Sequence, residues 1–243
     1  MPNPTAAMLV IGDEILSGRT RDSNAHYLAN QLTAKGVDLC EVRFVPDVQS
    51  AIVAAVKSLS ASYDHLFTSG GIGPTHDDIT ADAIAAAFDA HIDVRDDAAA
   101  LLRGYFAKRG TVETPARMRM ARIPDGADLI DNPVSIAPGF TMGNVHVMAG
   151  VPAVFEAMVQ TVLPLITGGK PMLSQSWRVA QGEGVVAEPL GKLAAEFPNL
   201  SIGSYPYQQN GIYGTNLVVR GQDGAEVNAA MQKLAALFPE EQP

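Results

Sequence analysis

The residues with the clearest chemical potential lie in one stretch. Ser69 to Thr80 reads Ser-Gly-Gly-Ile-Gly-Pro-Thr-His-Asp-Asp-Ile-Thr. Gly70, Gly71 and Gly73 let the backbone turn with positive φ and approach a ligand closely. The apolar run His65-Leu66-Phe67-Thr68 before it is of strand type, and Ala81 to Phe88 after it favours helix. A strand, a glycine-rich turn and a helix start offer free amides and a dipole to an anion. Asp77 and Asp78 share the loop, and carboxylates beside a phosphate repel it unless a divalent cation lies between them. A phosphorylated ligand held with a metal is one reading. A tight Gly-Gly-x-Gly-Pro loop followed by a solvated helix cap is the other. Spacing alone does not choose between them. It matches neither the P-loop nor the dinucleotide glycine pattern.

The elements that must position this loop come first in the chain. Ala6 to Ile11 is a continuous apolar run, as in a strand buried on both faces. Gly12 to Gly18 follows as a loop carrying Asp13 and Glu14. A helix capped by Asp22 or Ser23 carries Ala25, Leu28, Ala29 and Leu32 at helical spacing and ends at Gly36. Leu39 to Val45 is a second strand with Cys40, Val42 and Phe44 on one face, which reads Cys40 as a buried strand residue. Pro46-Asp47 opens a helix striped by Ile52, Ala55, Val56 and Leu59, and Asp47 is placed to be its N-cap. The order β-α-β-α-β-α with short connections predicts a mostly parallel sheet covered on both faces. Ligands bind such sheets beyond the carboxyl ends of the strands. The loops with Asp13/Glu14, Asp47 and Asp77/Asp78 are then all expected on that side.

Asp96 to Arg109 reads as a helix, and Thr114-Pro115 as the cap and first residue of another. The arginines that follow, Arg117, Arg119 and Arg122, read as solvated or as phosphate contacts. Phe140 to Met148 predicts a hairpin over Gly143-Asn144. Gly150-Val151-Pro152 then leads into a helix whose start is a further place for an anion. Thr167 to Pro171 is the expected boundary between domains at 1–169 and 170–243. Beyond it, a strand over Gln175–Val186, a helix over Pro189–Phe197, strands over Leu200–Gln208 and Gly211–Arg220, and a helix over Ala225–Phe238 predict a small α+β domain of split βαβ type. Gly211-Ile212-Tyr213-Gly214 fits the Gly-x-x-Gly of nucleic-acid-binding modules literally, but beside a strand and without a lysine it reads as an edge turn.

Composition narrows the partners. A net charge of −9 argues against nucleic acid or an anionic membrane surface. A local cluster of amides with a metal can still hold a phosphate. One cysteine, Cys40, forms no internal disulfide, which fits a reducing, cytoplasmic location. The N-terminus lacks a basic region before an apolar run, so no signal peptide is expected. Val145 to Ile166, the least polar stretch, carries His146, Glu156, Gln160 and two prolines and does not read as a membrane span.

Several of these residues carry a family resemblance. They are Val10 to Gly18 with Asn24, Val45-Pro46-Asp47 with Ile52, and Gly70 to Thr80, then Asn132, Ala137 to Phe140, and Gly150-Val151-Pro152. In this order they resemble the molybdenum-cofactor-biosynthesis (MoaB/Mog-type) domain, closest to the N-terminal part of CinA proteins and similar to the molybdopterin-binding domain of FAD synthases. The resemblance implies a three-layer α/β/α fold, a small phosphorylated ligand and a homo-oligomer. The ligand would be molybdopterin, ADP-ribose or FAD. Asp47 and Asp78 correspond to the family carboxylates, which act through Mg2+ at a phosphoryl centre in the adenylyltransferase branch. The CinA and FAD-synthase branch is associated with hydrolysis of a nucleotide pyrophosphate, with Mg2+, Mn2+ or Co2+. On that basis Asp47, Asp78 and Asp77 would hold the metal. His76 would be a general base, or else a loop residue in water. Gly12, Asp13, Glu14, Gly70, Gly71, Gly73, Pro74, Thr75, Thr80, Pro138, Gly139 and Gly150 would form the ligand cradle. The expected function is a metal-dependent nucleotide pyrophosphatase, with a molybdopterin-binding module or adenylyltransferase as the alternative. The amidohydrolase domain that follows in longer CinA proteins is not expected here, nor its deamidation chemistry. Ala149 replaces the family's usual proline, and the glutamate that commonly follows has only Glu156 as a substitute.

Overall fold

A computed structural model describes residues 2–209 and 211–239 of the chain. Met1 and residues 240–243, the outer ends of the two expected domains, lie outside the described residues. The chain divides into two compact units, Met1–Gly169 and Lys170–Pro243.

The first unit is built on a sheet in which the apolar run is an interior strand. β1 (Thr5–Ile11) lies parallel to β2 (Asp38–Val45) on one side and to β3 (His65–Ser69) on the other. Side chains alternate across a strand. Ala7, Leu9 and Ile11 therefore enter one core, with Ile52, Leu59, Ile84 and Phe106. Ala6, Met8 and Val10 enter the other, with Leu28, Leu32, Phe155 and Met158. This double burial is why the run is apolar throughout and why helices cover both faces. The covering helices include α2 (Asn24–Lys35), α3 (Gln49–Ser62) and α4 (Thr80–Phe88). A one-turn helix, α1 (Asp13–Leu16), occupies the segment expected to be loop.

After α4 the chain runs through β4 (Ile92–Val94), α5 (Asp96–Arg109), α6 (Pro115–Met118) and β5 (Arg122–Pro124), and β4 pairs antiparallel with β5. β6 (Asp128–Ile130), β7 (Gly139–Met142) and β8 (Val145–Met148) return to the main sheet, and α7 (Pro152–Val162) closes the unit. The sheet order is β2-β1-β3-β8-β7-β6. β8 is parallel to β3, while β7 and β6 add antiparallel pairs beyond it. The result is the three-layer, mostly parallel α/β/α architecture.

Two expectations on β2 and α3 are corrected. Cys40 is exposed, because β2 is an outermost strand with only β1 beside it. Phe44, two strand pairs along, is 41% exposed for the same reason. The register with β1 also shifts at Cys40, between Leu39 and Glu41, and alternation carries no information on either the shift or the edge position. Asp47 does not cap α3: the N-cap is Val48, without a side-chain hydrogen bond.

The second unit contains β9 (Leu173–Val179), α8 (Glu183–Glu196), β10 (Ser201–Gln209), β11 (Ile212–Gly221) and α9 (Gly224–Leu237). β11 lies between β9 and β10 and antiparallel to both, so β9-α8-β10 is a split βαβ unit. Helix α8 replaces the end of the strand expected over Gln175–Val186, and Pro189 lies inside it. Val186, Leu190 and Leu193 are buried at helical spacing, and that burial outweighs the lost hydrogen bond at Pro189. The carbonyl it leaves open belongs to Val185, which is 63% exposed, so water can take its place. Among the described residues no helix is long and apolar enough to cross a membrane.

Candidate functional site

β2 lies on one side of β1 and β3 on the other, so the chain reverses its direction of travel at the β1/β3 boundary. Ligand crevices of parallel α/β sheets open at such a point. Here the strand ends meet backbone to backbone. Gly70 has φ 109°, and a Cβ there would stand 2.2 Å from the Ile11 carbonyl oxygen. A Cβ on Gly150, just past β8, would stand 3.2 Å from the Gly70 Cα. Asn24 bridges the same ends: its Nδ2 donates to Ser69 Oγ and to the Gly150 carbonyl, both at 2.8 Å. Gly70→Ala is expected to cost about 3 kcal/mol or more, since it adds left-handed strain to a clash with fixed backbone. Urea denaturation checks this, and a loss under 1 kcal/mol would show that the strand ends can part.

The loop after β3 is folded on itself. Thr80 is fully buried; its hydroxyl donates to the Gly70 carbonyl at 2.9 Å and its amide to the Gly71 carbonyl at 2.9 Å. A Cβ on Gly71 would stand 2.1 Å from that hydroxyl. Thr80 thus fastens the loop to α4. Asp78 Oδ2 accepts from the Thr75 amide at 2.8 Å and from its hydroxyl at 2.6 Å. The same carboxylate oxygen would stand 2.6 Å from a Cβ on Gly73. Arg119 Nη2 donates to the Asp78 carbonyl at 3.3 Å.

Asp47 arrives from the loop after β2. Its Oδ2 accepts from the Asp13 amide at 2.9 Å, which ties the β2 loop to the β1 loop. Its carboxyl pKa is raised above the usual range. Burial is the main cause, and the charges of Asp13, Glu14 and Asp77 add to it against the Asp13 hydrogen bond. The three acidic loops therefore do converge electrically.

They surround a cleft of about 530 Å3, within the usual size of small-molecule sites. Of the residues expected from sequence, Gly12, Glu14, Asp47, Gly70, Gly71, Gly73, Pro74, Asp77, Asp78 and Gly150 line it. Asp13 reaches the site through its backbone amide, and Thr75 through Asp78. Pro138 lines a small adjoining space with Asp78 and Arg119. Gly139 is packed against β8, where a Cβ would stand 2.3 Å from the Val147 carbonyl oxygen. The His76 side chain is fully exposed, 4.0 Å from Asp77 Oδ1, and does not line the cleft.

The structure adds lining residues absent from the expected set, among them Thr20, Met120, Asn132, Ser135 and Val154. Asn132 is buried and shapes its loop by bonding Ser135 Oγ at 2.6 Å and the Ala137 carbonyl at 2.8 Å. A lone asparagine in a turn-rich loop gives no spacing signal. The α7 helix begins on the cleft wall at Pro152 without a side-chain cap; the Val154 and Phe155 amides donate to the Val151 carbonyl, which leaves the Ala153 amide and the helix dipole for an anion.

The residues present fit a divalent cation in one specific way. Among the described residues no three His, Cys, Asp or Glu side chains gather into a ready-made metal site. Mg2+ needs no such cage, because one or two carboxylates and substrate phosphates complete its shell. The donors here are hard carboxylate oxygens, and a cation would offset the burial and, secondarily, the neighbouring negative charges that raise the Asp47 pKa. Asn24 Oδ1, buried and without a hydrogen-bond partner, adds an oxygen acceptor at the cleft margin.

Comparison with known proteins follows the same division of the chain. Residues 7–168 match the family described as "Probable molybdopterin binding domain", and residues 171–242 match "FAD synthase, middle domain". A Pyrobaculum calidifontis protein is 35% identical over 252 residues, covering 97% of this chain and 96% of that protein. A probable FAD synthase of Caenorhabditis elegans is 31% identical over 259 residues, covering 96% of this chain and 50% of that protein. The chain thus spans half the length of that relative. The crystal structure of CinA from Thermoplasma acidophilum, described as of unknown function, superposes with a TM-score of 0.62 at 32% identity. That match covers 67% of this chain and 99% of the CinA chain.

Proposed function

The chain belongs to the probable molybdopterin binding domain family over residues 7–168, and from that membership we propose that its cleft takes a nucleotide diphosphate and hydrolyses the pyrophosphate bond with a divalent cation. The observation that supports the reading is that Asp47 and Asp78 line one cleft together with the backbone of Gly70, Gly71 and Gly73. Glycine at 70, 71 and 73 admits the diphosphate, and the uncapped start of α7 favours its charge. Asp47 and Asp78 would hold the cation, with phosphate oxygens of the ligand and water completing its shell. When bound, the cation would neutralise phosphate charge and lower the pKa of a bound water. The Asp47 carboxylate is kept in place by the Asp13 amide, and the Asp78 carboxylate by Thr75. The ligand class is ADP-ribose or FAD, consistent with the FAD-synthase name of the worm relative.

Binding without turnover, of molybdopterin or a nucleotide, is the second reading. Its favouring observation is His76, which stands in solvent and offers the cleft no base. One experiment separates the two. The protein is incubated with ADP-ribose or FAD and Mg2+, Mn2+ or Co2+, and products are identified by mass. Hydrolysis adds one water and yields AMP with ribose 5-phosphate from ADP-ribose, or AMP with FMN from FAD. Tight retention of intact ligand without AMP release would leave the binding reading alone.

A further inference from the structure

The side chains lining the cleft are of two kinds, and the difference bears on which ligands it can tell apart. The loops after β1, β2 and β3 bring Glu14, Asp47, Asp77 and Asp78. The remaining side chains come chiefly from Met120 and from the stretches 132–137 and 149–154. Among the described residues, no lysine, arginine, histidine or aromatic ring lines the cleft. Phosphate charge would therefore be met by a cation and by backbone amides, which touch a group common to every nucleotide.

The second group has polar atoms, but their bonds are already made. An asparagine side chain has two N–H donors and an oxygen with two lone pairs. Asn132 uses all four: Nδ2 donates to Ser135 Oγ and to the Ala137 carbonyl, and Oδ1 accepts from the Val134 and Ser135 amides, each at 3.1 Å. The Ala149 amide donates to Met158 Sδ at 3.5 Å, and the Gly150 carbonyl accepts from Asn24. The Val151 carbonyl is taken by α7 amides. What these stretches offer a ligand is the apolar surface of Met120, Ala137, Val151 and Val154. The hydroxyls of Thr20 and Ser135 rotate to donate or to accept, so they favour no one pattern.

We propose that the cleft selects its ligand by the diphosphate and not by the base, so that its substrate class is nucleoside diphosphate sugars of any base. The proposal rests on the nucleotide-diphosphate site described above. Telling one base from another takes fixed donors and acceptors. A site that bonds a substrate group rejects an analogue lacking it by about 10,000-fold or more, whereas apolar contacts separate close analogues by about 10- to 200-fold. The cleft has the second kind of contact for the nucleoside, and the flexible thioether of Met120 adapts to rings of different outline. The reaction is the same for each base: water adds across the P–O–P bridge, and a nucleoside monophosphate and ribose 5-phosphate leave.

The test compares ADP-ribose with GDP-ribose on the full chain in Mn2+. The two purines are alike in size, but adenine carries a donor where guanine carries an acceptor. The measure is the ratio of kcat/KM where the diphosphate is cut, and the ratio of Kd where it is only held. Both ratios are expected to lie within about tenfold, and adenosine, which lacks phosphate, is expected to bind at least about 100-fold more weakly than ADP-ribose. Met120→Ala is expected to weaken both nucleotides by a common factor of about tenfold. A preference beyond tenfold for either purine overturns the proposal, as does adenosine binding as tightly as ADP-ribose. It falls equally if Met120→Ala weakens one nucleotide and spares the other. Intact ADP-ribose and GDP-ribose held with equal affinity would remove the hydrolysis and leave the base tolerance standing. Turnover of ADP-ribose alone would do the reverse, and binding of neither would remove both.

Discussion

Asp47→Asn will raise the thermal stability of the protein at neutral pH and, on the proposed hydrolysis, lower cation-dependent AMP release by about 100-fold or more. The two effects have one cause. In the folded chain Asp47 holds its proton to higher pH than in the unfolded chain, chiefly through burial and then through Asp13, Glu14 and Asp77. A carboxyl with a raised pKa favours folding fully below its unfolded value, and that advantage is lost as pH rises through the folded value. At neutral pH the ionised group therefore works against the fold. Asparagine keeps an oxygen for the Asp13 amide and removes the charge. The stabilisation should be clear at pH 7 and vanish once the medium is acidic enough to protonate Asp47 in both states. Thermal melts at both pH values, run beside AMP release, measure the pair of effects. A variant that melts lower than the parent at pH 7 would mean that Asp47 is a structural tie, not a cation ligand.

Acidification is expected to destabilise the protein by about 3 kcal/mol between pH 6.5 and 4 through one buried histidine. His146 lies in β8, with Nε2 at 3.3 Å from His65 Nδ1 and Nδ1 at 3.0 Å from Thr141 Oγ1. Burial, aided by the His65 charge, lowers its pKa from 6.5 to about 4. His65 is also lowered, mainly by burial. A histidine held neutral in the fold binds its proton first in the unfolded chain. Stability is then fully present above 6.5 and falls as pH drops towards 4. The effect is local to the far end of β3 and β8 and separate from the cleft. Urea unfolding across this range should show the slope, and His146→Asn should flatten most of it. An unchanged slope in that variant would assign the acid sensitivity to carboxylates instead.

The sheet and its glycine loop were legible because they obey simple local rules. β1 is apolar at every inward position, and only a strand buried on both faces needs that. The expectation that Asp13/Glu14, Asp47 and Asp77/Asp78 share one side of the sheet follows from strand order alone. What failed was whatever depended on neighbours. Cys40 has the pattern of a core residue and stands on a sheet edge. Asp47 has the sequence of a helix cap, yet its oxygen meets an amide from the preceding loop. The short strands β4, β5 and β6 are too brief for an alternation to register. The second wall of the cleft, with Met120, Asn132 and Ser135, comes from connections whose path back over the sheet is set by packing. Pro189 misled in the opposite sense, since its local veto on helix was outweighed by the buried stripe around it.

The contact of Gly70 with Ile11 and Gly150 has a further consequence, for how such a site could change over time. The floor of the cleft is main chain, and side-chain substitution cannot reshape it without parting the strands. Variation is confined to the walls, where the less buried Glu14, Thr20 and Met120 can be exchanged one at a time. A scaffold arranged this way can drift between ligands that share a phosphate and differ elsewhere, because the shared group rests on the part that does not mutate freely.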